Sequence, residues 1–180
     1  VLLQHVKKTY GNGLEVEWRD FPLEQVNNVQ GADWKLWEQP DSYRSRGLWA
    51  FRAAEAARLQ GREPFERFHM ALLDARHVGR KDIADREVLL EVARGSGLDV
   101  ARFERDLADR SLLGKIGDDY NEGVEVHGIW GTPTLVFDAG PAAYIRILPA
   151  PPEEEAVRVF EDLVTTIRDR PYILEIKRPR

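Results

Sequence analysis

Cysteine is absent from all 180 residues, and methionine occurs once. The first absence excludes, for these residues, disulfides, thiolate metal sites and any thiol nucleophile. No uninterrupted apolar stretch reaches the ~18 residues that cross a bilayer. No basic block longer than a few residues occurs; Lys177-Arg178-Pro179-Arg180 is too short to build a nucleic-acid surface, and the net charge of −5 opposes one. A Gly-rich phosphate loop, a serine nucleophile elbow and a spaced pair of catalytic carboxylates are also missing. His5, His69, His77 and His127 include no i, i+4 pair and no His-Glu-x-x-His pattern, so no metal site is expected. What remains is 43% apolar and 32% charged residues, the balance of a globular chain with a sizeable core.

The apolar pattern changes period along the chain. Val1, Leu2, Leu3 and Val6 read as the back half of a helix, closed by Lys7, Lys8 and Gly11. Leu14, Val16 and Trp18 then alternate with Glu15, Glu17 and Arg19, which predicts a half-buried strand over Leu14–Phe21. Residues 22–42 hold Pro, Asn and Gly without a sustained period and read as a long surface connection. From Ser45 to about Tyr120, leucine and phenylalanine recur at helical spacing, with Asp99 as a candidate N-cap after the Gly95-Ser96-Gly97 turn. Strand signals return in Leu135–Asp138 and Tyr144–Leu148, a hairpin about Ala139-Gly140-Pro141. Glu153–Glu155 open a last amphipathic helix bearing Val157, Phe160, Leu163, Val164 and Ile167 on one face. Asp118, Asp119 and the three glutamates read as solvated faces or cap partners. Trp34, Trp37 and Trp49 read as core or loop anchors.

One stretch does not fit a plain strand. Gly128-Ile129-Trp130-Gly131-Thr132-Pro133 leads straight into Thr134-Leu135-Val136-Phe137. Proline has no N–H for a ladder and sits at strand starts, edges or bulges. Trp130 beside it is either an apolar lip for a bound peptide or an indole under the sheet.

Helix, strand, helical block, Gly-Thr-Pro-Thr into a strand, hairpin and last helix: this order resembles the DsbA-like branch of the thioredoxin fold. The segments "LEVEWRDFPLEQVN", "ARGSGLDVARFERDLAD" and "VEVHGIWGTPTLVF" carry the resemblance, which runs from Val1 to about Arg168. It implies an α/β thioredoxin-like domain over residues 1–44 and 121–170, an all-helical insertion over 45–120, and a tail over 171–180. It implies further that the Thr132–Pro133 bond is cis and faces the redox motif, with Trp130, Gly131, Thr132 and Pro133 binding substrate. The family's Cys-x-x-Cys stands at the start of its first helix, a place that falls upstream of Val1, as does a first strand parallel to Leu14–Phe21. No catalytic residue is therefore expected within the 180. The implied function is thiol–disulfide exchange with protein thiols or disulfides, or glutathione, as partners, no cofactor, no metal, no nucleic acid and no membrane, in the cytoplasm, with a homodimer left open. Two alternatives share the fold. One is a glutathione-dependent isomerase or transferase, similar to the kappa-class and hydroxychromene-carboxylate relatives, which would use a helix-start hydroxyl. The other is a non-catalytic binding module.

Overall fold

A computed structural model describes residues 2–137 and 140–176. The chain divides into two compact units: residues up to 19 together with those from 123 onward, and residues 20–122.

In the first unit, helix α1 (Leu2–Tyr10) runs into a 3-10 turn over Gly11–Gly13, where Gly11 takes a left-handed φ of 53°. Its apolar face packs on helix α8 (Glu153–Asp169), with Val6, Ala156 and Phe160 buried and Leu2, Leu3, Leu14 and Val164 around them. Polar bonds align the pair: Lys8 Nζ donates to Glu153 at 2.6 Å, and the Tyr10 hydroxyl donates to Glu161 at 2.6 Å. Strands β1 (Thr134–Val136) and β2 (Ala142–Tyr144) form an antiparallel hairpin with Thr134 opposite Tyr144 and Val136 opposite Ala142. Both are shorter than the sequence predicts, and Asp138 and Ala139 lie outside the described residues.

The expected strand over Leu14–Phe21 is corrected. Exposure alternates as read, with Leu14, Val16 and Trp18 half-buried and Glu15, Glu17 and Arg19 exposed, but no ladder forms among the described residues. Alternation decides which side chains face inward; a strand also needs a neighbour's N–H and C=O.

Residues 20–122 carry α2 (Leu23–Val26), α3 (Leu48–Arg58), α4 (Arg62–His77), α5 (Arg86–Gly95), α6 (Val100–Ala108) and most of α7 (Leu112–Glu125). No strand occurs among the described residues between Ser45 and Tyr120. Ala50, Ala53, Ala54, Ala56 and Ala57 make α3 buried on most sides, because small side chains keep helix propensity while admitting close neighbours. Asp85 and Asp99 cap α5 and α6 by accepting from the N–H groups of Glu87 and Arg102. Phe68 of α4 and Phe103 of α6 meet in the core with ring centroids 5.2 Å apart.

The connection over 22–42 is not a mere surface loop. The Gln25 side chain accepts from Leu36 N–H at 2.7 Å and donates to Trp34 C=O at 3.0 Å. These bonds stand in for secondary structure, and they let fully buried Leu36 join Leu48, Leu113 and Ile116, with Trp34, Trp37, Tyr43 and Phe51 around them. A loop without hydrophobic period thus supplies part of the core.

Candidate functional site

Helix α7 ends in a wide turn. Gly128 N–H donates to Val124 C=O at 3.2 Å, Ile129 N–H donates to Gly123 C=O at 2.8 Å, and Gly128 adopts a φ of 62° that favours glycine. The turn leads into residues 130–133 ahead of β1, where Trp130, Thr132 and Pro133 are exposed and Gly131 is buried. The Thr132–Pro133 peptide bond is cis, as is Leu148–Pro149.

Pro133 C=O accepts from Ile145 N–H at 3.0 Å. That makes Pro133 and Ile145 a hydrogen-bonded pair and the next pair, Thr134 and Tyr144, a non-hydrogen-bonded one. The side chains of Thr134 and Tyr144 accordingly share one face of the hairpin, together with Ala142. Thr134 Oγ1 donates to Gly131 C=O at 2.7 Å and fixes the loop. Thr132 and Pro133 are exposed. Among the described residues the Thr132 backbone N–H and C=O find no partner.

Trp130 lies on Tyr144 with ring centroids 4.7 Å apart and planes inclined by 33°. It is 67% exposed, and Tyr144 is 40% exposed. Of the two positions read for Trp130, the structure shows the outer one. A side chain at Gly131 would begin 3.4 Å from the Tyr144 ring, in van der Waals contact, so the phenol lies close against the loop. Beside the two rings is a small open depression lined by His127, Ile129, Trp130, Thr134, Ala142 and Tyr144.

The other sequence candidates disperse. His69 and His77 share α4, but eight residues separate them by about 12 Å of helix, too far for one ion. His69 is half-buried against Phe65, and burial with the Arg58 charge pushes its pKa down to about 4. Among the described residues no three His, Asp or Glu side chains could hold a metal.

Asp119 is not the solvated or capping residue that the sequence predicts. It is buried in α7, accepts from Asp20 N–H at 3.0 Å and pairs with Lys115 of the same helix. Asp20 is buried too, and its Oδ2 has no partner among the described residues. Burial first, then the Glu55 and Asp119 carboxylates, raise the Asp20 pKa well above the ordinary range. Nothing in "WRDF" signals this beyond the parity of the strand pattern, which assigns Asp20 to the inward side.

Well below about pH 4, Asp20 is protonated whether the chain is folded or unfolded. As pH rises, the unfolded chain releases this proton while the folded one retains it, so stability falls until the raised folded pKa is passed. Asp20→Asn is therefore expected to stabilise the protein at pH 7 by roughly 1–3 kcal/mol, with the gain lost by about pH 3. Urea unfolding of both proteins at the two pH values measures it; a variant less stable at pH 7 would contradict the upward shift of the Asp20 pKa.

With this geometry in place, the family is defined. Residues 5–141 match the thioredoxin family profile, and the chain belongs to that family. Its fold is a thioredoxin fold, mostly helical with a small two-stranded sheet, consistent with a helical insertion of the DsbA-like kind. Among curated relatives it is similar to the ClpXP adapter protein SpxH of Bacillus subtilis, 32% identical over 131 residues, covering 73% of this chain and 42% of that protein. It is also similar to an uncharacterized protein of Mycobacterium tuberculosis, 26% identical over 168 residues, covering 93% of this chain and 70% of that protein. The SpxH of Bacillus licheniformis is 32% identical over 85 residues, covering 47% of this chain and 28% of that protein. The chain thus spans less than half the length of the SpxH proteins it matches. No helix among the described residues is long and apolar enough to cross a membrane.

Proposed function

We propose that this chain is part of a thiol–disulfide oxidoreductase of the DsbA-like class acting on protein substrates. In this reading Gly131-Thr132-Pro133 aligns an extended segment of the partner, and residues preceding Val1 supply the reacting thiols. The observation that carries it is the backbone of exposed Thr132, which finds no partner among the described residues, just ahead of a fixed strand. A free N–H and C=O at the margin of a sheet pair with an extended chain as strand addition does. A thiolate at the start of α1 would be favoured by the helix dipole. It attacks one sulfur of a substrate disulfide, a mixed disulfide forms, and the other substrate sulfur leaves as thiolate. The proposal includes protein rather than nucleic-acid or membrane partners, and a cytoplasmic location.

A second reading is a non-catalytic protein-binding module using the same loop. It is favoured by two observations: the 180 residues contain no cysteine, and a similar protein is named a ClpXP adapter.

Thiol titration and insulin-disulfide reduction by the full-length protein separate the two. The expected result is titratable thiols and reduction above the dithiothreitol background. A full-length protein with no thiol and no reduction ends the oxidoreductase reading and leaves the binding module.

A further inference from the structure

We infer that Arg52 and Arg110 form a binding site for an oxyanion of the phosphate class, and that the Asp41 carboxylate fills it as an internal substitute. The site lies within residues 20–122, and the inference stands independently of the proposed function.

The first support is an unmet demand for acceptors. Arg52 of α3 has a side chain only 2% exposed, and its Nη1 donates to Asp41 Oδ1 at 3.0 Å. Its Nε and Nη2 are buried with no hydrogen-bond partner among the described residues. A guanidinium carries a full set of N–H donors, and each one left unmet in the interior costs the desolvation of that group. The Trp49 ring, centred 4.9 Å from Arg52 Cζ, lies against the guanidinium face and takes none of its in-plane hydrogen bonds.

The second is convergence. Arg110, at the junction of α6 and α7, directs its Nη1 to the same Asp41 Oδ1 and its Nη2 to Gln39 C=O at 2.9 Å. Two guanidiniums thus share one carboxylate oxygen. A carboxylate matches a single bidentate fork, whereas the tetrahedral oxygens of a phosphate can face two.

Charge and position then choose the ligand. Arg110 stands two residues before Leu112, the first residue of α7, and the first turn of that helix contains no acidic residue. Helix N-termini favour anions, so the dipole adds to the two guanidiniums. Asp109, the other carboxylate whose charge bears on Arg52, is engaged with Ser111 N–H at 2.9 Å.

Exposure provides the way in. Arg52 is enclosed, but the Asp41 and Arg110 side chains that meet it are 46% and 43% exposed. Asp41 swings out into water and the oxyanion takes its place between the guanidiniums. Because Asp41 is tethered to the same chain, it competes at high effective concentration and keeps the site weak until its charge is removed.

The test uses the full-length protein with inorganic phosphate and O-phosphoserine as probes, against chloride at equal ionic strength. Thermal unfolding over a concentration series gives the apparent Kd of each. Asp41→Asn is expected to tighten phosphate binding about tenfold, since the internal competitor loses its charge. Arg110→Gln is expected to weaken it about tenfold, since one fork is lost. Both substitutions fall on half-exposed side chains, far-UV circular dichroism checks their folding, and each is read independently of the other. Binding of phosphate alone identifies the free ion as the ligand; binding of phosphoserine identifies the phosphoryl group of a larger molecule. No stabilisation of either the wild-type protein or Asp41→Asn by the two probes overturns the site. Phosphate binding that is the same in wild type and in the folded variants also overturns it, because the ion then binds elsewhere.

Discussion

Replacing Phe103 with alanine is expected to destabilise the helical unit by about 3–5 kcal/mol, enough to consume much of the stability of a small domain. Phe103 is fully buried in α6, and its ring meets that of fully buried Phe68 in α4. Truncation removes apolar area from the core and leaves a cavity that two packed helices cannot close, because the backbone positions of α4 and α6 are set by their other contacts. Ordinary aromatic pairing adds about 0.5–1.5 kcal/mol to the loss. Phe103→Leu, which keeps more of the volume, should cost less than half as much. Chemical denaturation of the two variants measures both. A Phe103→Ala protein within about 1 kcal/mol of wild type would show that this contact does not hold the core together.

Gly117→Ala is expected to lower stability by about 1–3 kcal/mol, although alanine is the better helix former by about 1 kcal/mol. The site explains the reversal. A Cβ at Gly117 would lie 2.6 Å from Trp37 Nε1 and 2.7 Å from Cε2. The indole has little room to retreat: it packs on the Leu36, Leu48, Leu113 and Ile116 cluster and against the Tyr120 ring, with centroids 5.4 Å apart. Gly114, one turn earlier in the same helix, has nothing within 4 Å of its Cβ direction. Gly114→Ala should therefore stabilise by about 0.5–1 kcal/mol. Opposite signs for the two substitutions in thermal unfolding are the expected result. Stabilisation by both would mean that Trp37 moves aside at no cost.

The two glycines illustrate what a linear reading holds. From the sequence, both weaken α7 equally; only the neighbour at Gly117 separates them. The same division runs through the fold. Helices α3 to α7 and α8 were legible because an amphipathic pattern, capping residues such as Asp99 and glycine stops are local signals, complete within one or two turns. The hairpin was legible from its two apolar runs, though not its length. Leu14–Phe21 kept its alternation and lost its strand, since pairing depends on a neighbour in space. Residues 22–42 were misread as surface, because the Gln25 side chain, not a periodic pattern, anchors Leu36 in the core.

The candidate site shows the same limit. Gly131-Thr132-Pro133 stood out by composition, since a proline at the mouth of a strand needs an explanation wherever it occurs. That Trp130 lies outside on Tyr144, and that Asp20 and Asp119 are buried together, could not be read from neighbours in the chain. The sequence by itself determined the helical periods, the caps, the hairpin and the conspicuous loop, all of which rest on interactions within a few residues. Only the tertiary structure decided which alternating segment found a ladder, which carboxyl lost its water and which aromatic stayed exposed, because pairing and desolvation depend on groups that are distant in sequence and near in space.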